Sequence, residues 1–497
     1  MSTTTLPEQL SDTAREFAAR EHELLIDGER VAAADGRTFE TIDPSSARPI
    51  TSVALAGPRD VDRAVQAARR ALEDSEWATL PAAGRARLIN RLADLIEEDA
   101  GTFAQLEALD NGKPVKIAKV VDVDGTVRFF RHFAGWCERV FGRVIPVRQP
   151  DMLCYTRKEP VGVCGQIIPW NFPMLMASWK LAPALAAGCT VVLKPAEQTP
   201  LSALRIGELA LEAGIPAGVI NVLTGAGETG AALVDHPGVD KIAFTGSTEV
   251  GREIGAKTGR ALKRVTLELG GKSPNIILPD ADLDAAVAGS FQGIYFNTGQ
   301  ACNAGSRLFV HRDQFDKVVA ALAARASKSR VGPGLEPNTH LGPLVSQEQH
   351  KRVLSYIEAG RAEGAELVTG GGAGAAGDGY FVEPTLFTTG RDDLKIAREE
   401  IFGPVLVALP YETLEEVAAR ANETEYGLAA GVWTRDIGNA HRLASMLKAG
   451  SVYINCWGEV DAGAPFGGYK ASGLGREHGG EGLEAYLETK TVWTKLA

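Results

Sequence analysis

Between residues 161 and 270 short apolar runs alternate with helix-spaced segments, and this alternation limits the possible folds more than any other stretch of the chain. Strands are expected at 161–168, 190–193, 219–223 and 241–244, with helices at 175–187, 201–213, up to 233 and 247–256. Strands joined through helices lie parallel in one sheet, with the crossovers covering both faces. Such a sheet takes its ligands beyond the carboxyl ends of its strands. A second alternation runs from 275 to about 450, with helices expected at 315–326 and 350–362. With 497 residues, 45% of them hydrophobic, the chain can fill two or three cores. The expected class is α/β with two parallel-sheet domains.

The remaining segments read differently. Residues 1–20 are polar and read as a loose tail or frayed helix. Short alternating runs with Asp-Gly and Asp-Pro breaks over 22–58 read as β-hairpins. Helical spacing fills 59–140, and 141–160 reads as an extended hairpin. The late strand at 489–494 has no neighbour in sequence, so it pairs with that hairpin or with another subunit. The glycine-rich 370–379 stretch is a surface connection rather than a phosphate cradle.

Composition narrows the function classes. A net charge of -11 with no basic block disfavours nucleic acid and anionic membrane. No apolar run reaches bilayer-spanning length. The N-terminal residues show no basic region followed by an apolar core, and Glu8, Asp12 and Glu16 disfavour a mitochondrial presequence. Six scattered cysteines without C-x-x-C or histidine-rich company argue against disulfides and against a metal site. A cytoplasmic protein is expected.

Cys302 stands out among the six. Its loop, 299–307, is built of glycine, alanine and amide residues, which let a backbone come close to a ligand. From these residues alone, a nucleophile and an inert thiol are both open. Gly225-x-Gly227-x-x-Gly230 is a literal dinucleotide pattern, but no acid stands clearly about twenty residues on. Gly246 and Ser247 lead a helix whose free N–H groups suit an anion, or Ser247 merely caps it. Lys194 and Glu197, at the end of an expected strand, could clamp ribose hydroxyls or form an exposed pair.

Taken together the motifs are more specific. Pro169-Trp170-Asn171-Phe172-Pro173, Lys194-Pro195-Ala196-Glu197, Phe244-Thr245-Gly246-Ser247, Leu267-Glu268-Leu269-Gly270-Gly271-Lys272, Gly299-Gln300-Ala301-Cys302, Glu400-Ile401-Phe402-Gly403-Pro404 and Pro465-Phe466-Gly467-Gly468 occur in that order. The chain resembles the NAD(P)-dependent aldehyde dehydrogenase superfamily from about residue 20 onward. The resemblance implies an NAD-binding domain from 21–140 and 161–270 and a catalytic domain from 271–480. A bridging, oligomerising element would come from 141–160 and 481–497. It also implies a homo-oligomer, with a tetramer favoured over a dimer.

The resemblance assigns roles by position. Cys302 would be the nucleophile, Asn171 an oxyanion donor and Glu268 the general base; Lys180 and Glu477 match residues that some members use to relay protons. Ile168, Pro169, Trp170, Lys194, Glu197, Gly227, Gly246, Ser247, Glu400 and Phe402 would hold NAD, with NADP disfavoured by the carboxylate of Glu197. Gly125, Phe172, Trp179, Phe296, Trp457, Val460 and Phe466 would line the substrate tunnel. Small residues at Gly125 and Gly458 imply a wide entrance, suited to arylacetaldehydes or longer aliphatic aldehydes. Asp461 near the mouth, with no obvious arginine there, disfavours carboxylate-bearing semialdehydes and leaves betaine aldehyde as an alternative.

Overall fold

The computed structural model describes residues 6–496. Strands Val163–Ile167, Thr190–Lys194 and Lys241–Thr245 are buried at every position. Continuous burial on both faces explains why they read as unbroken apolar runs rather than alternating ones. They form the centre of an eight-stranded sheet with Arg264–Glu268 and Ile220–Val222, and these five strands run parallel. The hairpin of Leu24–Ile26 and Glu29–Val31 extends one edge of the sheet. The other edge is closed by Gly473–Leu474, antiparallel to Arg264–Glu268. The first sheet therefore draws a strand from within 271–480, so a sequence boundary at 270 does not separate the two sheets cleanly.

A second sheet of seven strands follows the same logic. Thr385–Thr388, Val405–Tyr411, Arg307–His311, Pro274–Ile277, Ala429–Trp433 and Ser451–Ile454 run parallel in that order, and Glu366–Thr369 adds an antiparallel edge. Both large sheets are thus mixed and mainly parallel. Only residues 269–273 link the end of Arg264–Glu268 to the start of Pro274–Ile277. This short link brings the carboxyl edge of the first sheet against the amino edge of the second.

The late strand finds its partner within the chain. Leu487–Lys495 pairs antiparallel with Met152–Pro160 over nine positions, and Val144–Ile145 adds a third strand. Phe141, Val144 and Trp493 are exposed there.

Of the two readings of 1–20, a loose tail or a frayed helix, the structure gives a helix within residues 6–20, docked rather than frayed; residues 1–5 lie outside the described part. Asp12–Ala19 is a helix whose N-cap, Ser11, accepts a bond from Ala14 N. Leu6, Leu10, Ala14 and Phe17 are buried, and the Arg20 guanidinium lies 4.2 Å from the Phe17 ring. These apolar residues recur every three or four positions among charged ones, and tertiary packing turns that sparse stripe into a docked face. Among the described residues no helix is long and apolar enough to cross a membrane.

Candidate active site

The two facing sheet edges carry nearly all the residues singled out by the motifs. Ile168, Lys194, Gly246 and Glu268 stand at the carboxyl ends of neighbouring strands, tied by Ile168 N to Lys194 O at 3.1 Å and Gly246 N to Glu268 O at 3.1 Å. Cys302 and Glu400 precede the second-sheet strands Arg307–His311 and Val405–Tyr411. The paired glycines of the link permit the approach. A Cβ on Gly271 would lie 2.4 Å from Cys302 O, and one on Gly270 would lie 2.4 Å from Glu400 Oε2.

The Cys302 loop is held by strained backbone and buried amides. Asn297, Thr298 and Gly299 take φ of 47°, 56° and 74°, a left-handed run that non-glycine residues rarely adopt. Asn297 Nδ2 donates to Asn171 O at 3.0 Å and to Gln300 O at 3.2 Å, while Gln300 Oε1 accepts from Val345 N at 3.0 Å. Asn171 Nδ2 donates to Gln300 O at 2.9 Å, which sets this amide beside the cysteine loop. Burial, followed by the carboxylates of Glu400 and Glu268, pushes the Cys302 thiol up to about 12; the backbone N–H groups of Asn303 and Cys302 act in the opposite direction.

Glu268 is 3% exposed, and neither carboxyl oxygen has a protein partner among the described residues. Burial, then Glu477, holds its pKa well above the usual carboxylate range, and Lys180 opposes them. Lys180 is buried, pairs with Glu477 and donates to Thr245 Oγ1 at 2.7 Å. A carboxyl, an ammonium and a second carboxyl are thus grouped behind the thiol.

The outer edge carries groups suited to phosphate and ribose. Lys194 Nζ lies 3.2 Å from Glu197 Oε2, and burial lowers the lysine pKa against the pull of Glu197. Ser247 caps Thr248–Ala261 by accepting from Val250 N at 3.3 Å, leaving the helix start open beside Gly246. Glu400 accepts from Gly271 N at 2.9 Å, and burial raises its pKa to about 7. Trp170 and Phe402 meet edge-on at 5.2 Å, with Pro169 next to Trp170 in the chain. Gly227 lies further out: it is exposed, and a Cβ there would meet no atom within 4 Å. Nothing in its surroundings requires a glycine.

Cys302 opens into a cavity of about 500 Å³. Gly125, Phe172, Trp179, Phe296, Trp457, Val460 and Phe466 all line it. Phe172 stacks on Phe296 at 5.8 Å, and Trp179 meets Phe466 at 5.3 Å. Gly125 serves packing as well as space, since a Cβ there would lie 2.8 Å from Leu175 Cδ1. The mouth does contain an arginine, contrary to expectation. Arg128 lines it along with His132, Glu459 and Asp461. It sits one helical turn after Gly125 and carried no motif in sequence. Asn297 and Lys113, which hold the loops of Asn171 and Cys302, were likewise without a sequence signal, and Gln300 stood in a motif with no role assigned.

Comparison with known proteins gives a consistent picture. The model of the aldehyde dehydrogenase family matches residues 31–492. The mitochondrial aldehyde dehydrogenase of Homo sapiens is 52% identical over 478 residues, covering 96% of this chain and 92% of that protein. Human retinal dehydrogenase 2 is 50% identical over 476 residues, covering 95% and 92%. The structure of a Bacillus cereus aldehyde dehydrogenase in complex with NAD+ superposes with a TM-score of 0.97 at 53% identity, covering 98% of this chain and 99% of that one.

Proposed function

Because the chain belongs to the aldehyde dehydrogenase family, we propose that it oxidises an apolar aldehyde to the carboxylic acid with NAD, through a covalent adduct on Cys302. The observation that carries this reading is the Cys302 thiol at the wall of an aromatic cavity, with Asn171 and Glu268 buried around the same loop. Relatives that bind NAD+ or act on retinal, a large apolar aldehyde, support it.

The residues at the facing edges fit the cofactor. Glu400 is held by one backbone N–H, the Lys194–Glu197 pair stands at a strand end, and the start of the Ser247-capped helix is free to take an anion. Lys194 and Glu197 would hold the adenine ribose, Gly246 and Ser247 the pyrophosphate, and Glu400 with Phe402 the nicotinamide half. Ile168, Pro169 and Trp170 would supply backbone along the cleft. Glu197 would repel a 2′-phosphate, which favours NAD over NADP. When bound, NAD supplies the hydride acceptor.

The chain's own residues perform the rest. Cys302, as thiolate, adds to the carbonyl carbon and forms a thiohemiacetal. Asn171 Nδ2 and the Cys302 N–H donate to the resulting oxyanion. Loss of hydride from that carbon leaves a thioester on the sulfur. Glu268 takes a proton from water, which attacks the thioester and frees the acid and the thiolate. Lys180 and Glu477 form the path by which that proton leaves Glu268. A hydrolytic base distinguishes this scheme from acyl transfer to coenzyme A.

The lining favours arylacetaldehydes and medium or long aliphatic aldehydes. Arg128 supports a second reading, a semialdehyde whose distal carboxylate reaches the mouth, while Glu459 and Asp461 there would favour a cation such as betaine aldehyde. A panel of phenylacetaldehyde, octanal, betaine aldehyde and succinic semialdehyde at saturating NAD decides among them. The highest kcat/KM is expected for phenylacetaldehyde or octanal; first place for either charged aldehyde sinks the apolar assignment. We place the active form in the cytoplasm as a homotetramer, because all six cysteines are free and the small three-stranded sheet exposes apolar side chains.

A further inference from the structure

We infer that Lys113 is a positioning residue for Asn171, and that its counter-ion turn ties the oxyanion donor to the wall of the substrate tunnel. The inference rests on the proposed role of Asn171. Residues 168–172 belong to no helix or strand, so no regular hydrogen-bond ladder fixes the backbone that carries that amide.

Side chains from 107–113 supply most of the missing bonds, and on the Asn171 carbonyl Lys113 shares the task with Asn297 Nδ2, at 3.0 Å. Asn111 Nδ2 donates to Trp170 O at 2.8 Å, Lys113 Nζ to Asn171 O at 3.0 Å, and Glu107 Oε1 accepts from Met174 N at 3.1 Å. Three grips, at residues 170, 171 and 174, thus hold the donor and the start of the helix that follows it. Lys113 also lies 4.3 Å from the centre of the Phe172 ring, so one ammonium touches both the oxyanion residue and a cavity wall residue.

The ammonium is held in turn. Its side chain is fully buried, with Asp122 Oδ1 at 2.7 Å and Glu107 Oε2 at 3.7 Å. Asp122 lies in the π-helical turn Ala118–Val123, a rare geometry. The same turn places Val120 and Val121 on the substrate cavity. A buried ion pair is weak evidence for stability, since apolar residues of similar volume often stabilise as well. What this pair provides is direction: an ammonium aimed at one carbonyl, with its own position set by a tunnel-wall turn.

The test uses the full-length enzyme with NAD in a double-mutant cycle. Lys113→Met should lower kcat and the rate of the NADH burst together, by about 100-fold for a displacement near 1 Å, with NAD affinity and aldehyde KM changed less than twofold. Lys113→Arg should recover part of the loss. In an Asn171→Ala background, Lys113→Met should cost little more, because the donor it positions is already gone. An equal loss in both backgrounds overturns the inference, since Lys113 would then act independently of Asn171. An unchanged rate in Asn171→Ala alone sinks the oxyanion reading itself. If Lys113→Met does not fold, Asp122→Asn loosens the ammonium without removing it and is read in the same cycle.

Discussion

At Cys302 burial and catalysis place opposite demands on one sulfur. The nucleophile is the thiolate, yet burial and the neighbouring Glu400 and Glu268 push the thiol up to about 12. Below that value the thiolate fraction rises about tenfold per pH unit. Alkylation of the cofactor-free enzyme by iodoacetamide should therefore accelerate steadily from pH 7 to 10, and a plateau within that range would show a thiol of ordinary or lowered pKa. Glu268 has the corresponding constraint. Its raised pKa keeps the buried carboxyl protonated at low pH, and only the deprotonated form can accept a proton from water. Thioester hydrolysis should accordingly increase with pH. Replacing this base with an amide, Glu268→Gln, should give a stoichiometric NADH burst followed by a steady rate at least about 100-fold lower. A normal steady rate in stopped-flow absorbance would remove Glu268 from the mechanism. Cys302, Glu268 and Asn171 could be singled out in sequence because they fall in motifs that resemble the family's, whereas the residues around Cys302 alone left a nucleophile and an inert thiol both open. Lys113 and Asn297 could not be, because a buried lysine or amide supporting a loop looks like any other until its partner is known.

The elements that matter most here are connections. The 269–273 link is so short that the two large sheets must meet edge to edge. Its glycines are required by contact rather than by turn geometry: Gly271→Ala would put a methyl 2.4 Å from Cys302 O. The cysteine loop would have to shift, and kcat should fall about 100-fold while the circular dichroism spectrum stays native. Full activity in that variant would mean that the loop yields at little cost. The three-stranded sheet is the other telling element. The late strand's pairing with 152–160 was one of two options open in sequence, and the structure realises it within the chain. Trp493, 54% exposed on that strand, then stays available for contact between subunits. Trp493→Asp should convert the assembly to smaller species in sedimentation velocity; an unchanged distribution would move the interface elsewhere. The docking of the N-terminal helix escaped a sequence reading for a related reason. The helix buries only Ala14, Phe17 and Ala18, and its stability comes from the surface it docks on.

At the scale of the whole molecule, the proposed active site is a seam between two sheets, with the groups proposed to hold one dinucleotide drawn from both sides. A ligand that bridges the seam stabilises the folded form by mass action, by about 2.7 kcal/mol at 100 times its Kd. The apparent Tm should therefore rise with NAD concentration, while NADP, opposed by Glu197, should need far higher concentrations for the same shift. Equal shifts at equal concentrations in differential scanning fluorimetry would remove the role given to Glu197. By itself the sequence determined the α/β class and the two rounds of strand and helix, and its motifs singled out the groups proposed to react. These depend on local periodicity and on side-chain chemistry, which residues carry wherever they are placed. Tertiary structure alone decided how those groups meet. It placed Gly473–Leu474 on the edge of the first sheet, set Arg128 at the tunnel mouth, and aimed a buried ammonium at the Asn171 carbonyl. Each of these joins residues distant in the chain, and such contacts follow from close packing and the pairing of buried polar groups, which only the folded chain specifies.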